Sequence, residues 1–128
     1  MLKKNLKAAL MYLLILAAGL GAGYLVVNIP KWLKSPYVEG NYAAYYPNAQ
    51  TKVVVYGTST CPYCLKTREF LHAKNITFID YDVQKSDRAQ KELAQLGVNT
   101  VPVVLIGDRQ IRGFNQAALE SALKKVGL

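Results

Sequence analysis

The alternation of apolar and polar positions changes character once along this chain. From Ala8 to Ile29 it runs 22 residues with no charge and only Asn28 strongly polar, enough to cross a bilayer as a helix. From Lys52 onward the apolar residues come in short periodic bursts. Lys52-Val53-Val54-Val55-Tyr56 is a β-branched run that predicts a strand, and Leu65, Phe70 and Leu71 recur at helical spacing to about Lys74. Ile76 to Tyr81 alternates as a second strand. Ser86 is placed to cap a helix carrying Ala89, Leu93 and Leu96 on one side, with Gly97 at its end. Val103-Val104-Leu105-Ile106 reads as a buried strand, Gly107-Asp108 as a turn, and Arg109 to Arg112 as its hairpin partner. Asn115 is placed to cap a last helix, with Phe114 and Leu119 as a hydrophobic staple and Leu119, Ala122, Leu123 and Val126 as the buried stripe.

The order β-α-β-α-β-β-α predicts an α/β fold with a four-stranded mixed sheet. A right-handed crossover makes its first two strands parallel and the closing hairpin is antiparallel. Three segments follow: 1–34 as a membrane anchor with flanking lysines, 35–50 as a linker rich in turn residues and tyrosines, and 51–128 as the folded domain. The tyrosines at 37, 42, 45 and 46 are expected at the membrane interface or against the domain, rather than as a strip for a partner.

Charge sharpens the reading of the N-terminus. The net charge is +8, but residues 1–35 hold five lysines and no acid, while residues 36–128 hold 11 basic against 8 acidic side chains. The excess is therefore juxtamembrane, where it suits anionic headgroups, and no basic stripe or motif points to nucleic acid. Lys3, Lys4 and Lys7 precede the span, and Pro30-Lys31-Trp32-Leu33-Lys34 follow it, with Trp32 where an interfacial aromatic would anchor. Gly21-Ala22-Gly23 could serve as a signal-peptidase site, but the apolar run continues through Val27, too long for an ordinary signal core. The expectation is an uncleaved, single-pass cytoplasmic-membrane protein with the folded domain on the periplasmic or exterior side. Ala18, Gly19, Ala22 and Gly23 also suit a weak homodimer contact between spans, although such residues are simply common there.

The chemistry lies in Thr58-Ser59-Thr60-Cys61-Pro62-Tyr63-Cys64, which holds both cysteines. Pro62 fits the first position of a helix, leaving Cys61 at its N-cap, where free amides and the helix dipole favour thiolate over thiol. Cys61 is the expected nucleophile and Cys64 the resolving thiol. Two cysteines and His72 are too few for a zinc site within one chain, so no metal is expected. His72 lies three turns from Cys61, a surface residue by default.

With CPYC on a strand-to-helix turn and Thr100-Val101-Pro102 ahead of the third strand, residues 52–128 resemble the glutaredoxin branch of the thioredoxin superfamily, as does Gly113-Phe114 after the last strand. The resemblance implies a thioredoxin-like fold, a cis Val101–Pro102 bond, and a groove formed by Tyr63, Thr100, Val101, Pro102, Gly113 and Phe114. It implies an enzyme exchanging or reducing protein disulfides or glutathione mixed disulfides. Glutathione would be a co-substrate, with no resident cofactor. A second reading is an assembly or electron-delivery factor holding an iron–sulfur cluster between two chains through Cys61. Two places depart from the family pattern: Thr58 stands where a lysine is common, and Arg112-Gly113-Phe114-Asn115 stands where G-G-x-D is common. Both remove charged contacts to glutathione. Arg112 either substitutes for the lysine or is a solvated strand-end charge.

Overall fold

The computed structural model describes the backbone of residues 1–33 and 35–128, with side chains described for 1–28 and 35–128. The expected anchoring role of Trp32, and Lys34 at the segment boundary, lie outside the described residues. The chain divides into two compact units, Met1–Ser35 and Pro36–Leu128.

The first unit is one helix, α1 (Leu2–Leu33). Its segment Leu2–Asn28 is long and apolar enough to cross a membrane. Tyr12, Leu13, Leu14, Ile15 and Leu16 are all exposed, so within the unit nothing covers a surface that water would not tolerate.

The second unit is built on a five-stranded sheet in the order β1-β5-β4-β2-β3. The strands are β1 (Tyr37–Glu39), β2 (Val53–Gly57), β3 (Ile79–Asp82), β4 (Val103–Ile106) and β5 (Arg109–Arg112). The helices are α2 (Pro62–Ala73), α3 (Asp87–Gln95) and α4 (Gln116–Lys125). β2 runs parallel to β3 and antiparallel to β4, and β4 pairs antiparallel with β5. Alternate residues of the central strands feed two cores. Val53, Val55, Val104 and Ile106 meet Leu71 of α2 and Leu119, Ala122 and Leu123 of α4. Val54, Tyr56, Val103 and Leu105 meet Ala89 and Leu93 of α3 on the other face.

The fifth strand corrects the reading of 35–50 as a linker. Tyr37–Glu39 pairs antiparallel with β5, placing Tyr37 opposite Ile111 and Glu39 opposite Arg109. The turn behind it is fastened too. The Gly40 amide donates to the Asp108 carbonyl at 2.9 Å, and the Tyr42 hydroxyl meets Gln110 Oε1 at 3.1 Å among buried groups. Tyr46 donates to the Gly107 carbonyl at 3.0 Å. Outside this strap, Arg109 stacks on the Tyr37 ring at 4.0 Å and faces Glu39 at 3.4 Å. The tyrosines thus lie against the domain.

Smaller differences have local causes. The second predicted strand begins at Ile79, not Ile76, because Asn75 closes α2 with a φ of 56° and the Ile76 amide is drawn back to the Leu71 carbonyl at 2.9 Å. Leu65 is 54% exposed; the inward face of α2 is Cys64, Thr67 and Leu71. Thr67 can be buried because its hydroxyl donates to the Tyr63 carbonyl at 2.8 Å.

Tyr42→Phe should lower stability by about 1–2 kcal/mol, because it strands a buried amide oxygen, whereas the exposed Val38→Ala should lie within about 0.5 kcal/mol of wild type. Urea titration of the detergent-solubilised protein distinguishes a fastened strap from a loose one, for which both variants would be silent.

Candidate active site

The site forms where β2 hands the chain to α2. Cys61 is the N-cap of α2, with φ −84° and ψ 119°, and Pro62 occupies the first turn without forfeiting a bond. The Cys64 amide donates to Cys61 Sγ at 3.3 Å. Partial burial pushes the Cys61 thiol up, but hydrogen bonds from the Cys64 thiol and from the Cys64 and Tyr63 amides, with the charge of Arg68, outweigh it, so the net displacement is downward. Cys64 moves the other way. It is fully buried, and burial together with donation to Cys61 holds it protonated, above the ordinary thiol range. Both cysteines carry free thiols. One sulfur thus leans toward the thiolate while its neighbour keeps a proton.

The turn carrying the cis Val101–Pro102 bond faces this helix start. Cys61 Sγ lies 3.9 Å from the Val101 carbonyl oxygen, within reach of S–H donation. Gly113, with φ +73°, donates its amide to the Pro102 carbonyl at 2.8 Å. The last turn before α4 is thereby latched to the proline turn. Tyr63 is 59% exposed beside the thiols, with Lys66 over its ring at 5.4 Å. Thr100 is exposed and Val101 half-buried. A cleft bordered by Thr58, Val101, Gln84, Gln90 and Asn99 extends from here toward α3.

The other expected residues are placed as follows. Phe114 sets its ring edge-on to Phe70 at 6.1 Å and packs on the α2–α4 core. Asn115 is committed to the helix, accepting from the Ala118 amide at 3.0 Å. Thr58 is buried, and Arg112 is exposed at the end of β5. His72 sits against Phe78 with ring centroids 5.1 Å apart, away from the thiols. Among the described residues no cluster of three or more His, Cys, Asp and Glu side chains forms.

Two residues of the site escape the sequence reading. Arg68 makes a two-pronged pair with Asp80, Nε to Oδ2 at 2.7 Å and Nη2 to Oδ1 at 3.2 Å, and its Nη1 donates to the Thr58 carbonyl at 3.1 Å. Gly57 makes room for it: a Cβ there would lie 3.1 Å from both Arg68 Nη2 and Cys64 Sγ. The signal for Arg68 was its spacing, four residues after Cys64 and seven after Cys61, which keeps it on the face of α2 that bears the sulfurs.

The thiolate fraction of Cys61, and so its alkylation rate, should rise with pH through a midpoint below that of free cysteine and then level off. Arg68→Ala removes a cation from beside it and should move that midpoint upward, with Arg68→Lys in between. Iodoacetamide kinetics across pH 4–10 on a Cys64→Ser background test this, and an unmoved midpoint would mean the guanidinium does not act on the sulfur.

Known proteins carry the same pattern. Residues 53–111 match the glutaredoxin family model. A glutaredoxin-like 8.6 kDa protein from a rubredoxin operon of Clostridium pasteurianum is 38% identical over 74 residues, covering 57% of this chain and 99% of the relative. A probable glutaredoxin of Synechocystis is 31% identical over 93 residues, covering 71% and 81%. The crystal structure of a glutaredoxin from Archaeoglobus fulgidus aligns with a TM-score of 0.54 at 28% identity, over 66% of this chain and 96% of that one. Likeness at this identity, running the whole length of one relative and joined to the fold of a solved glutaredoxin, means that the chain belongs to the glutaredoxin family.

Proposed function

We propose that this protein is a membrane-anchored thiol–disulfide oxidoreductase in which Cys61 attacks and Cys64 resolves. The observation that supports it best is the opposite displacement of the two thiols, Cys61 downward at the helix cap and Cys64 upward in the core. A thiolate is the nucleophile in exchange, and a resolving thiol serves best if it waits protonated until the first step is complete.

The Cys61 thiolate attacks one sulfur of a disulfide-bearing or glutathionylated protein. A new S–S bond forms to Cys61, the substrate's bond breaks, and the departing sulfur leaves as a thiolate that takes up a proton. Cys64 then loses its proton and attacks Cys61 Sγ, releasing the second substrate sulfur and leaving a Cys61–Cys64 disulfide. An external thiol donor returns the two electrons. Tyr63, Thr100, Val101 and Pro102 line the approach to Cys61, with Gly113 latching the proline turn and the following Phe114 packing on the α2–α4 core. Glutathione acts as a co-substrate rather than a resident group. Its grip is weakened because Thr58 offers no cation and Asn115 spends its side chain on capping α4.

Cys61→Ser should reduce turnover to the uncatalysed rate. Cys64→Ser should retain activity on glutathione mixed disulfides and lose it on protein disulfides, since only the latter require the second thiol. Turnover by Cys61→Ser equal to wild type would end this reading.

The helix α1 serves as a single-pass anchor in the cytoplasmic membrane. Three lysines precede the span and two follow closely, which favours a cytoplasmic N-tail and a redox unit on the periplasmic or exterior side. A membrane-impermeant maleimide should therefore label Cys61 in intact cells. Labelling only after lysis would reverse the orientation.

A further inference from the structure

The strap along β5 limits where the active thiol can work. Left free, residues 35–50 would form a coil with an end-to-end distance of about 20–24 Å and a full extension of about 50 Å. They are not free. Beginning with Tyr37 the chain is paired to β5, hydrogen-bonded through Gly40, Tyr42 and Tyr46, and flanked by Arg109. Three residues, 34–36, separate Leu33 of α1 from Tyr37, and so short a segment spans at most about 14 Å however it runs.

The register adds a direction. Tyr37, where the chain enters the redox unit, lies opposite Ile111. The next residue of β5, Arg112, lies opposite Val103, and Val103 lies opposite Tyr56, five residues before the Cys61 cap. Gly113 and Pro102, which flank that row, are bonded at 2.8 Å. The entry point and the turn that carries the thiol therefore share one end of the sheet, with three strand spacings of about 4.8 Å between β1 and β2. The chain thus reaches its first paired residue four Cα steps after Leu33, and it enters the redox unit at the end of the sheet where Cys61 lies.

From this we propose that the substrate class is a disulfide carried by a membrane protein close to the bilayer surface, rather than a disulfide borne on a freely diffusing protein or far out on a long stalk. The inference rests on the anchored-oxidoreductase reading above. Its physical basis is effective concentration: a short tether concentrates the thiol in a thin layer next to the membrane and depletes it beyond.

The test uses full-length protein in phospholipid vesicles, reduced beforehand, freed of reductant and followed for one turnover. The probe is a self-quenched peptide disulfide, in which two electrons from Cys61 and Cys64 convert its S–S bond to two thiols. It is presented on a lipid headgroup by a stalk of a few residues, on the same lipid by a Pro-rich stalk of about 60 residues, or free in solution. The short-stalked reporter should be reduced at least about tenfold faster than the long-stalked one. A 30-residue Gly/Ser spacer inserted between Ser35 and Pro36 should narrow that difference, by diluting the thiol at the surface and extending its reach, and leave the rate on the free reporter unchanged. Equal rates on both stalks for the uninterrupted chain overturn the inference while sparing the chemistry, whereas failure to reduce even the free reporter overturns the oxidoreductase reading and the inference with it.

Discussion

The interaction on which this site depends is the bond from the Cys64 amide to Cys61 Sγ at 3.3 Å, a helix cap made by sulfur instead of oxygen. A hydroxyl or carboxylate at that position would satisfy the same orphan amide and end its role there. A thiol gains something further, because the amides and dipole that suit the cap stabilise the charged form more than the neutral one. Each pH unit by which they do so is worth about 1.4 kcal/mol. The same preference weights the reduced state of the pair, since a stabilised thiolate resists being consumed in a disulfide. In the proposed chemistry, capping, nucleophilicity and redox poise are three consequences of this one short contact.

That contact requires α2 to start at a fixed place, and the centre of the sheet provides it. Val53, Val54 and Val55 are completely buried, as are Val103, Val104, Leu105 and Ile106. β2 and β4 therefore cannot shift by one residue without exchanging the two cores. Gly57 then ends β2 and lets Cys64 and Arg68 approach the backbone. Arg68 ties the helix to β3 through Asp80 and to the end of β2 through Thr58. Asp80 keeps a 39% exposed side chain, so the pair contributes geometry more than stability. It sets a positive charge beside the sulfurs while the apolar cores bear most of the energy.

How much of this was legible follows from which interactions are local. Ser86, Asn115 and Cys61 each cap the helix that their position in the chain suggested, because capping is decided within three or four residues. The β4 strand was legible because a strand buried on both faces needs no alternation. The strap was not. Tyr-Val-Glu flanked by Pro36 and Gly40 has the composition of a turn, and what makes it a strand is β5, more than seventy residues later. Arg68 was missed for the same reason, as its partner Asp80 reaches it only through the parallel pairing of β2 with β3. Leu65 helped mark the helix by its spacing, yet it points outward, since burial of Cys64 rotates the adjacent position to the surface. Local chemistry could thus be read directly, while cross-strand partnership could not.

The lack of charge at Thr58 and Asn115 and the fastening of residues 37–46 bear on the same physical question, which is where selectivity comes from. A redoxin that distinguishes its substrate by contact needs groups that grip it, and here Thr58 is buried without charge while Asn115 is engaged with Ala118. Each missing charge-assisted hydrogen bond forgoes about 1.5–3 kcal/mol of recognition. Confining both partners to one surface can offset a deficit of that size, because it raises effective concentration without adding any contact. A tether does so only if it is short and stiff, and under the anchoring proposed for α1 the strap would keep it short: Tyr42, Gln110 and the Leu96 carbonyl form one buried chain of hydrogen bonds, so releasing it would strand polar groups inside the second core. Selectivity by place is therefore consistent with a generic thiol chemistry at Cys61, and it accounts for a strap whose polar groups are paired inside a domain otherwise held by its valines and leucines.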